Sequence, residues 1–313
     1  MDQLIVSLMN GIVYGLLLFM VSAGLTLIFG MMGVLNFAHA SFYMLGAYFA
    51  YSLQGVIGFW PAVIASPLLV GVIGVVVERF FLRRVHHHGH AHELLLTFGL
   101  SFIIAESIKL FFGNFPVDYR IPAALDVPAF TLGGAQYPVY RLLMGGIAIA
   151  MFAAIYLLLT RTRVGIVVRS AIYKPRMAEA LGHNVPLVFM GVFGVGAGLA
   201  GLAGAVAGAF YTTNPNMALE LGVMVFVVVV VGGLGSLGGA MLASLLIGVI
   251  TSLAVGIDRS LADLLALVGA GDWARGVGGL LTLKVSSLSA TIPFALMLLI
   301  LLVRPSGLMG EKG

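Results

Sequence analysis

The sequence is poor in the residues that carry most protein chemistry. It contains no cysteine and only two tryptophans among 313 residues, and charged residues make up 9% of the chain. The lack of cysteine excludes disulfides, thiolate metal ligands and cysteine nucleophiles. The charged fraction lies far below the roughly 25% of an average soluble domain, so the composition excludes an ordinary soluble protein.

Apolar residues are correspondingly abundant. They make up 61% of the chain, and the mean hydropathy is +1.12. No single core can shield so much apolar surface from water, so we expect membrane lipid to be the solvent. The formal net charge is +4, but the basic residues are not gathered into a patch that could follow phosphates. Nucleic acid is therefore not expected as a partner.

The apolar runs predict about nine membrane crossings, or eight if one of the short runs is re-entrant. Strict alternation, which a barrel would need, is absent, so the predicted fold is an all-α polytopic membrane protein forming one transmembrane domain over residues 1–313. The predicted spans are Leu4–Phe29, Phe42–Ser52, Trp60–Leu82, Leu94–Phe112, Val139–Thr160, Leu187–Phe210, Leu221–Val231, Ala240–Val255 and Ile292–Val303.

The positions of lysine and arginine predict the orientation. If there are nine spans, one side of the membrane holds the loop with residues 79–84, the loop with residues 161–176 and the C-terminal tail. We assign this side to the cytoplasm. Its basic residues are Arg79, Arg83, Arg84, Arg161, Arg163, Arg169, Lys174, Arg176, Arg304 and Lys312. The N-terminus and a long segment over 256–290 are then expected outside, and the C-terminus in the cytoplasm. The other six bases, including Arg259, fall at outer positions near aspartates such as Asp258.

A weak internal repeat relates two breaks in the apolar pattern. Sliding the chain by 202 positions aligns Gly30 with Gly232, Gly33 with Gly235, and Ala38 with Ala240. Each copy follows a span entering from outside and precedes one leaving, which predicts a parallel repeat of the kind found in transporters. Glycine-rich sequences also produce such matches by chance.

The first break contains Asn36 and His39. Polar side chains at membrane depth usually face a cavity or another helix, so these two residues are candidates for lining a translocation path. The alternative is a tight cytoplasmic turn in which Asn36 caps the next helix and His39 bonds a carbonyl.

The second break, Gly232 to Gly239, superficially resembles a phosphate-binding loop. It lacks the Lys-Ser/Thr of a Walker A motif, and that motif occurs nowhere in the chain. Close helix approach is the better interpretation, as it is for the glycines between Gly194 and Gly208. By analogy with the first break, Gly232, Gly233, Gly235 and Ser236 are also candidates for the translocation path.

Two other polar groups have simple explanations. Five histidines between His86 and His92 form a dense tract in a predicted cytoplasmic loop, where a solvated loop is a better interpretation than a metal site, so no metal is predicted. Glu106 and Lys109 stand three apart on one helical face, where they form an interfacial pair unless the protein is proton-coupled. No catalytic residue is predicted.

The basic segment 161–186 contains a predicted amphipathic helix. Pro175 suits the first turn and Gly182 the end, while Met177, Ala178 and Leu181 supply an apolar edge. Such a helix has little core of its own to pack on, so we expect it to bind in the groove of a cytoplasmic partner. The predicted docking element comprises Lys174, Pro175, Arg176, Met177, Ala178, Glu179, Ala180, Leu181 and Gly182.

Taken together, these motifs resemble the LivH-type permease subunit of branched-chain amino acid ABC importers. The matching runs follow the family order: Gly30 to His39, Tyr43 to Tyr48, Val77 to Arg79, Arg169 to Asn184, Gly198 to Gly204, Val231 to Ala240 and Leu302 to Gly310. The histidine tract and the long 256–290 segment depart from the family pattern and leave the solute open.

The resemblance implies a bacterial inner-membrane subunit that pairs with a LivM-type permease, two cytoplasmic ATPases and a periplasmic binding protein. ATP and Mg would be bound by the ATPases, with no cofactor on this chain, and Lys174 to Gly182 would be the coupling helix. The solute would be a branched-chain amino acid, an amide or an organic acid. The alternative is a self-sufficient proton-coupled transporter that uses Glu106 or His39 as a relay.

Overall fold

The computed structural model describes residues 2–132, 135–256, 260–266 and 269–310. Arg259, Asp258 and Lys312, used in the charge argument, lie outside the described residues. The α-helices are α1 (Asp2–Met32), α2 (His39–Ile57), α3 (Phe59–Val77), α4 (Arg83–Val85), α5 (His90–Phe112), α6 (Val139–Arg161), α7 (Arg163–Tyr173), α8 (Pro175–Ala180), α9 (Val185–Ala207), α10 (Met217–Gly232), α11 (Leu237–Gly256), α12 (Leu261–Ala266), α13 (Gly271–Val277) and α14 (Ile292–Val303).

The remaining elements are short. Strands β1 (Pro128–Leu132) and β2 (Ala135–Pro138) pair antiparallel as a hairpin between α5 and α6. A π-helical turn, Glu78–Leu82, joins α3 to α4, and 3-10 turns lie at His86–His88, Gly279–Thr282 and Val285–Thr291.

The predicted helical membrane fold is confirmed. Among the described residues, seven helical stretches are long and apolar enough to cross a membrane. They include α1 from Leu4 onwards and the whole of α5, α6, α9 and α11. The shorter apolar α10 has 16 residues, and α2 has 19. Each of the nine predicted apolar stretches lies mainly in one α-helix. Two of them extend further: the stretch to Leu82 includes the π-helical turn after α3, and the stretch to Phe210 outlasts α9, which ends at Ala207.

Glycines allow the central helices to pack with their backbones in contact. Along α9, Gly194 and Gly198 lie against α3, and Gly204 lies against the Tyr43 carbonyl of α2, so a side chain at these positions would meet backbone or neighbouring side chains. On α1, Gly24 packs in the same way against Gly196. The predicted glycine strip on α9 is thus confirmed as a helix-packing surface.

The two ends of the bundle have different connections. At the end that carries α8, Arg83 donates to the Pro186 carbonyl at 2.8 Å. At the same end the Leu308 amide of the C-terminal tail donates to the Val231 carbonyl of α10, also at 2.8 Å. At the hairpin end, Arg141 donates to Asn10, and the Tyr119 hydroxyl donates to the Ala205 carbonyl at 2.7 Å. Loops that the charge pattern places on one side of the membrane therefore share one end of the molecule.

The two predicted breaks share two features, the end of a helix and a glycine with positive φ. Helix α1 ends two residues after Gly30 and helix α10 ends at Gly232, and the following Gly33 and Gly235 have φ values of +66° and +84°, a region that favours glycine. The breaks also touch, because a Cβ on Gly30 would lie 2.9 Å from the Gly235 Cα. The internal repeat and its origin by duplication both stay predictions.

The 256–290 segment is folded where the structure describes it. Ser260 and the Asp263 carboxylate cap α12 reciprocally, and Arg275 of α13 pairs with Asp263 at 3.2 Å. Hydrogen bonds from Ser260 are the main cause that lowers the pKa of Asp263. This segment is thus a small helical cap at the hairpin end.

Candidate functional site

A cavity of about 310 Å³ lies between α5, α10 and the junction of α1 with α2. This volume falls at the lower end of the range for small-molecule sites. Its wall comprises Leu25, Leu35, Asn36, Phe37, His39, Ala40, Ser41, Phe98, Ser101, Phe102, Ala105, Glu106, Lys109, Pro215, Asn216, Ala218, Leu219, Gly222, Val223, Val225 and Phe226.

The junction between α1 and α2 reaches deep into the bundle. The His39 Nε2 lies 2.8 Å from the carbonyl oxygen of Val21, although α1 continues to Met32. Eleven residues of helix correspond to about 16 Å, so the chain from Gly33 to Ala38 runs back along α1 before α2 begins. The first break is therefore not a tight turn at the end of the bundle.

Asn36 and His39 both lie on the cavity wall and are both buried. The Asn36 Oδ1 accepts from the Ala38 amide at 3.0 Å, and His39 donates from Nε2 to Val21. Among the described residues, Asn36 Nδ2 and His39 Nδ1 have no hydrogen-bond partner. Of the two bonds that the turn interpretation expected, His39 makes its bond to a carbonyl, but Asn36 bonds within the loop and does not cap α2. Each side chain keeps one unpaired polar atom beside the cavity.

The cavity is apolar at one end and charged at the other. Phe37 packs against Phe98 and Phe226, with ring centroids 6.4 and 6.1 Å apart, towards the α8 end. Lys109 lies eleven residues beyond Phe98 on α5, which corresponds to about 16 Å of helix. Its ammonium group pairs with the Glu106 carboxylate at 2.7 Å. The Glu106–Lys109 pair was predicted, but its place on a cavity wall was not.

The glycine break at 232–236 lies elsewhere. Gly232 packs against Gly239, Gly233 against Gly310, and the Ser236 hydroxyl accepts from the Gly239 amide at 3.1 Å. None of Gly232, Gly233, Gly235 and Ser236 lines the cavity. Their place on a translocation path stays a prediction, and their contacts instead support close packing of α1, α10 and the tail.

The histidine tract bonds the 3-10 turn at His86–His88 to α5 at the α8 end. The carboxylate of Glu93, which is buried, accepts from His86 Nδ1 and from His90 Nδ1, the latter at 3.2 Å. Beside it, Arg83 donates twice to the buried Glu78 carboxylate. Within the described residues no group of three or more His, Asp or Glu side chains is arranged to hold a metal ion.

The predicted docking helix is α8, from Pro175 to Ala180, and Gly182 follows it with φ +86°. Met177 is 61% exposed and Leu181 is 76% exposed. Ala178 is buried against Ala171 and Val185, so the prediction that all three apolar side chains point away from the chain is wrong for Ala178. The helix has a small core of its own because α7 packs beneath it.

Sequence reasoning missed α7. Its start carries a recognisable signal, because the Thr162 hydroxyl caps the helix by accepting from the Gly165 amide at 3.1 Å. Its buried positions, Val168 and Ala171, are three apart, whereas Val164 and Ile166 are more than half exposed. Together, α7 and α8 present an apolar and basic surface at one end of the bundle.

Comparison with known proteins gives concordant matches over the whole chain. A family model described as "Branched-chain amino acid transport system / permease component" matches residues 7–301. The chain is 26% identical to the high-affinity branched-chain amino acid transport system permease protein BraD of Pseudomonas aeruginosa, covering 97% of this chain and 95% of that protein.

Two further relatives extend the range of organisms. The permease protein LivH of Escherichia coli strain K12 is 24% identical over 96% of this chain and 94% of its own length. The probable LivH permease protein of Methanocaldococcus jannaschii is 27% identical over 96% of this chain and 91% of its own length. No solved structure matches the chain. The relatives are named as transport proteins, not enzymes.

Proposed function

The chain belongs to the family of branched-chain amino acid transport permeases, and from this membership we propose that it is the inner-membrane permease subunit of an ATP-driven importer. It forms half of the path for a branched-chain amino acid or a similar small amphipathic solute, such as an amide or an organic acid. A second permease subunit of LivM type supplies the other half. A periplasmic binding protein delivers the solute.

The observation that carries this proposal is the exposure of Met177 and Leu181 on α8. These side chains lie on a basic segment outside the membrane spans, where exposed apolar residues are unfavourable unless a partner covers them. Two cytoplasmic ATPases with ATP and Mg provide that partner, each with a groove for a coupling helix. Lys174 precedes the helix and Arg176 lies in its first turn; both are exposed and favour an acidic rim on the groove.

The cavity supports the transport role. Residues from α1, α2, α5 and α10 surround a space of small-molecule size beside buried polar groups, which inside a membrane bundle are costly unless they serve a function. Alternating access would then move α5 and α10 relative to the α1–α2 junction as ATP binds to the partners.

The proton-coupled alternative receives less support. His39 is held by the Val21 carbonyl, and Glu106 already has Lys109 as its partner. The named relatives are permease proteins of transport systems. A relay would need a connected series of titratable groups between the two ends of the bundle.

Cysteine labelling tests the proposed orientation, with the N-terminus outside and the C-terminus in the cytoplasm. The natural chain has no cysteine, so single cysteines at Ala180 and Met309 should react only from the cytoplasm, and those at Ala124 and Asp272 only from outside. All four positions are exposed. Reaction of the Ala180 cysteine from outside would contradict both the orientation and the docking role of α8.

Co-purification tests the function itself. The tagged chain, co-expressed with the ATPase subunits of its own organism, should retain them through affinity purification and gel filtration in detergent. A chain that purifies without an ATPase and still takes up solute in vesicles would refute the proposal in favour of a self-sufficient transporter.

A further inference from the structure

The ion pair on the cavity wall faces open space. Lys109 Nζ donates to Glu106 Oε1 at 2.7 Å, and the Glu106 side chain is 66% exposed while that of Lys109 is 32% exposed. Both residues line the cavity near the hairpin end of α5. The two charges are therefore accessible from the cavity rather than enclosed by protein.

Helix electrostatics account for only one member of the pair. Lys109 lies in the last turn of α5, where the helix dipole favours a cation. Glu106 lies before that turn, where the dipole gives it no stabilisation, and a charge in a membrane-spanning helix is costly. Exposed pairs of this kind contribute little to folding. Glu106 thus has a cost that its role in stability does not offset.

The part of the cavity next to the ion pair is apolar, and it begins about one helical turn away. Phe102 lies about one helical turn from Glu106 along α5, roughly 6 Å, and also lines the cavity. Beyond it, Phe98 packs edge to face on Phe102 with centroids 4.9 Å apart, and Phe37 packs on Phe98. A molecule with both charges at one end and a branched alkyl chain of about one helical turn fits this sequence of surfaces.

We propose that Glu106 and Lys109 form the head-group subsite for a zwitterionic solute with an apolar side chain. The Glu106 carboxylate accepts from the solute ammonium, the Lys109 ammonium donates to the solute carboxylate, and Phe102 and Phe98 contact the alkyl chain. This inference rests on the proposed function and names the substrate class of its cavity. Glu106 and Lys109 thereby have a role in transport and are more than an interfacial ion pair.

Charge pairing explains why a zwitterion is preferred. When a zwitterion enters, each protein charge exchanges its partner for a solute charge, so no charge of the protein or of the solute is left without a partner. An organic anion would occupy Lys109 and leave Glu106 without a partner. An amine would occupy Glu106 and leave Lys109 without one. Both analogues should therefore bind less tightly than the amino acid.

Direct binding to the purified complex tests the subsite. The permease pair with its ATPases, in lipid nanodiscs and without the periplasmic binding protein, is titrated with leucine, with 4-methylpentanoate, which lacks the ammonium group, and with 3-methylbutylamine, which lacks the carboxylate. Leucine should bind at least about tenfold more tightly than either analogue. Glu106→Gln should weaken leucine binding at least about tenfold without weakening that of 4-methylpentanoate, and Lys109→Gln should have the reciprocal effect with the amine.

Control variants separate recognition from folding. Glu106→Asp keeps the carboxylate and should retain most of the leucine affinity. Asp118→Asn removes an exposed acid that pairs with Arg120 away from the cavity, and it should change nothing. Gel filtration and ATPase retention show whether each variant is folded.

Two results would overturn the subsite. One is the absence of saturable leucine binding to the unsubstituted complex, and the other is leucine affinity that Glu106→Gln and Lys109→Gln leave unchanged. In either case the proposed function still stands if the chain retains its ATPases and ATP drives uptake. Loss of ATPase retention and of ATP-driven uptake in the unsubstituted protein would instead refute the proposed function.

Discussion

The cavity wall and the α7–α8 segment use apolar and polar side chains in opposite ways. The cavity is formed by helices far apart in sequence, with polar residues such as Asn36 and His39 buried among apolar ones. The α7–α8 segment is continuous in sequence, and Met177 and Leu181 are exposed beside basic residues. Buried polarity in a membrane bundle and exposed apolarity outside it are each unfavourable for the isolated chain. Each therefore indicates a ligand or a partner.

The two regions also differ in how much of the fold supports them. The cavity depends on backbone contact among α1, α2 and α9, which only glycine permits at the contact points. The core beneath α8 consists of Ala171, Ala178 and Val185, with Val188 and Phe189 partly buried against it. Substitutions in the scaffold should therefore affect folding, whereas those on the exposed face of α8 should affect only the partner.

The largest effect is expected at Gly204. In Gly204→Ala the new methyl group would overlap the Tyr43 carbonyl oxygen, and neither helix backbone can yield without losing the contact between α2 and α9. We expect little or no monodisperse protein by fluorescence-detected gel filtration. Gly146→Ala is the matched control, because no atom lies within 4 Å of a Cβ there. Folded protein in normal yield from Gly204→Ala would contradict the packing of α2 on α9.

The next largest effect is expected on α8. Met177→Asp combined with Leu181→Asp should leave the membrane domain folded, because both side chains are exposed, and should abolish solute-stimulated ATP hydrolysis by placing charges in an apolar groove. The conservative pair Met177→Leu with Leu181→Met should retain coupling. Ala178→Asp should instead disturb the local core and increase proteolysis of the segment. Undiminished coupling in the double aspartate variant would exclude α8 as the dock.

The smallest effect is expected at Asn36. In Asn36→Ala the amide is lost from the cavity wall, together with the bond that its Oδ1 accepts from Ala38. One such bond is worth on the order of 1 kcal/mol, so uptake at low solute concentration should fall about fivefold while ATPase retention is unchanged. Initial uptake rates in proteoliposomes measure the effect. Asn36→Asp keeps the accepting oxygen, and equal losses in both variants would point to a role of the amide group rather than of the turn.

The long apolar helices could be predicted from sequence because lipid demands long apolar runs, and every predicted stretch lies mainly in one of them. Asn36 and His39 were identifiable because polar residues interrupting such a run are rare. The cavity wall was not predictable, because the placement of α5 and α10 around one cavity depends on tertiary packing that leaves no local signal. The burial of Ala178 was missed because α7 was missed, although Thr162 marks its beginning.

The contacts of the histidine tract could not be predicted from the sequence either. Sequence alone favoured a solvated loop, whereas His86 and His90 bond both oxygens of the buried Glu93 carboxylate. The carboxylate lies one turn before Thr97, whose hydroxyl accepts from the Phe37 amide at 3.2 Å. Spacing along the chain predicted neither contact, since one joins a loop to a helix and the other joins residues 60 positions apart.

Uptake in proteoliposomes with the proton gradient collapsed tests the central claim most directly. The chain, reconstituted with its second permease, ATPases and binding protein, should accumulate labelled leucine when ATP is enclosed with the ATPases, whether or not a protonophore is present. His39→Gln should remain active, because glutamine can still donate to the Val21 carbonyl and no proton is carried. Uptake that continues without ATP and stops when the gradient collapses would contradict the account.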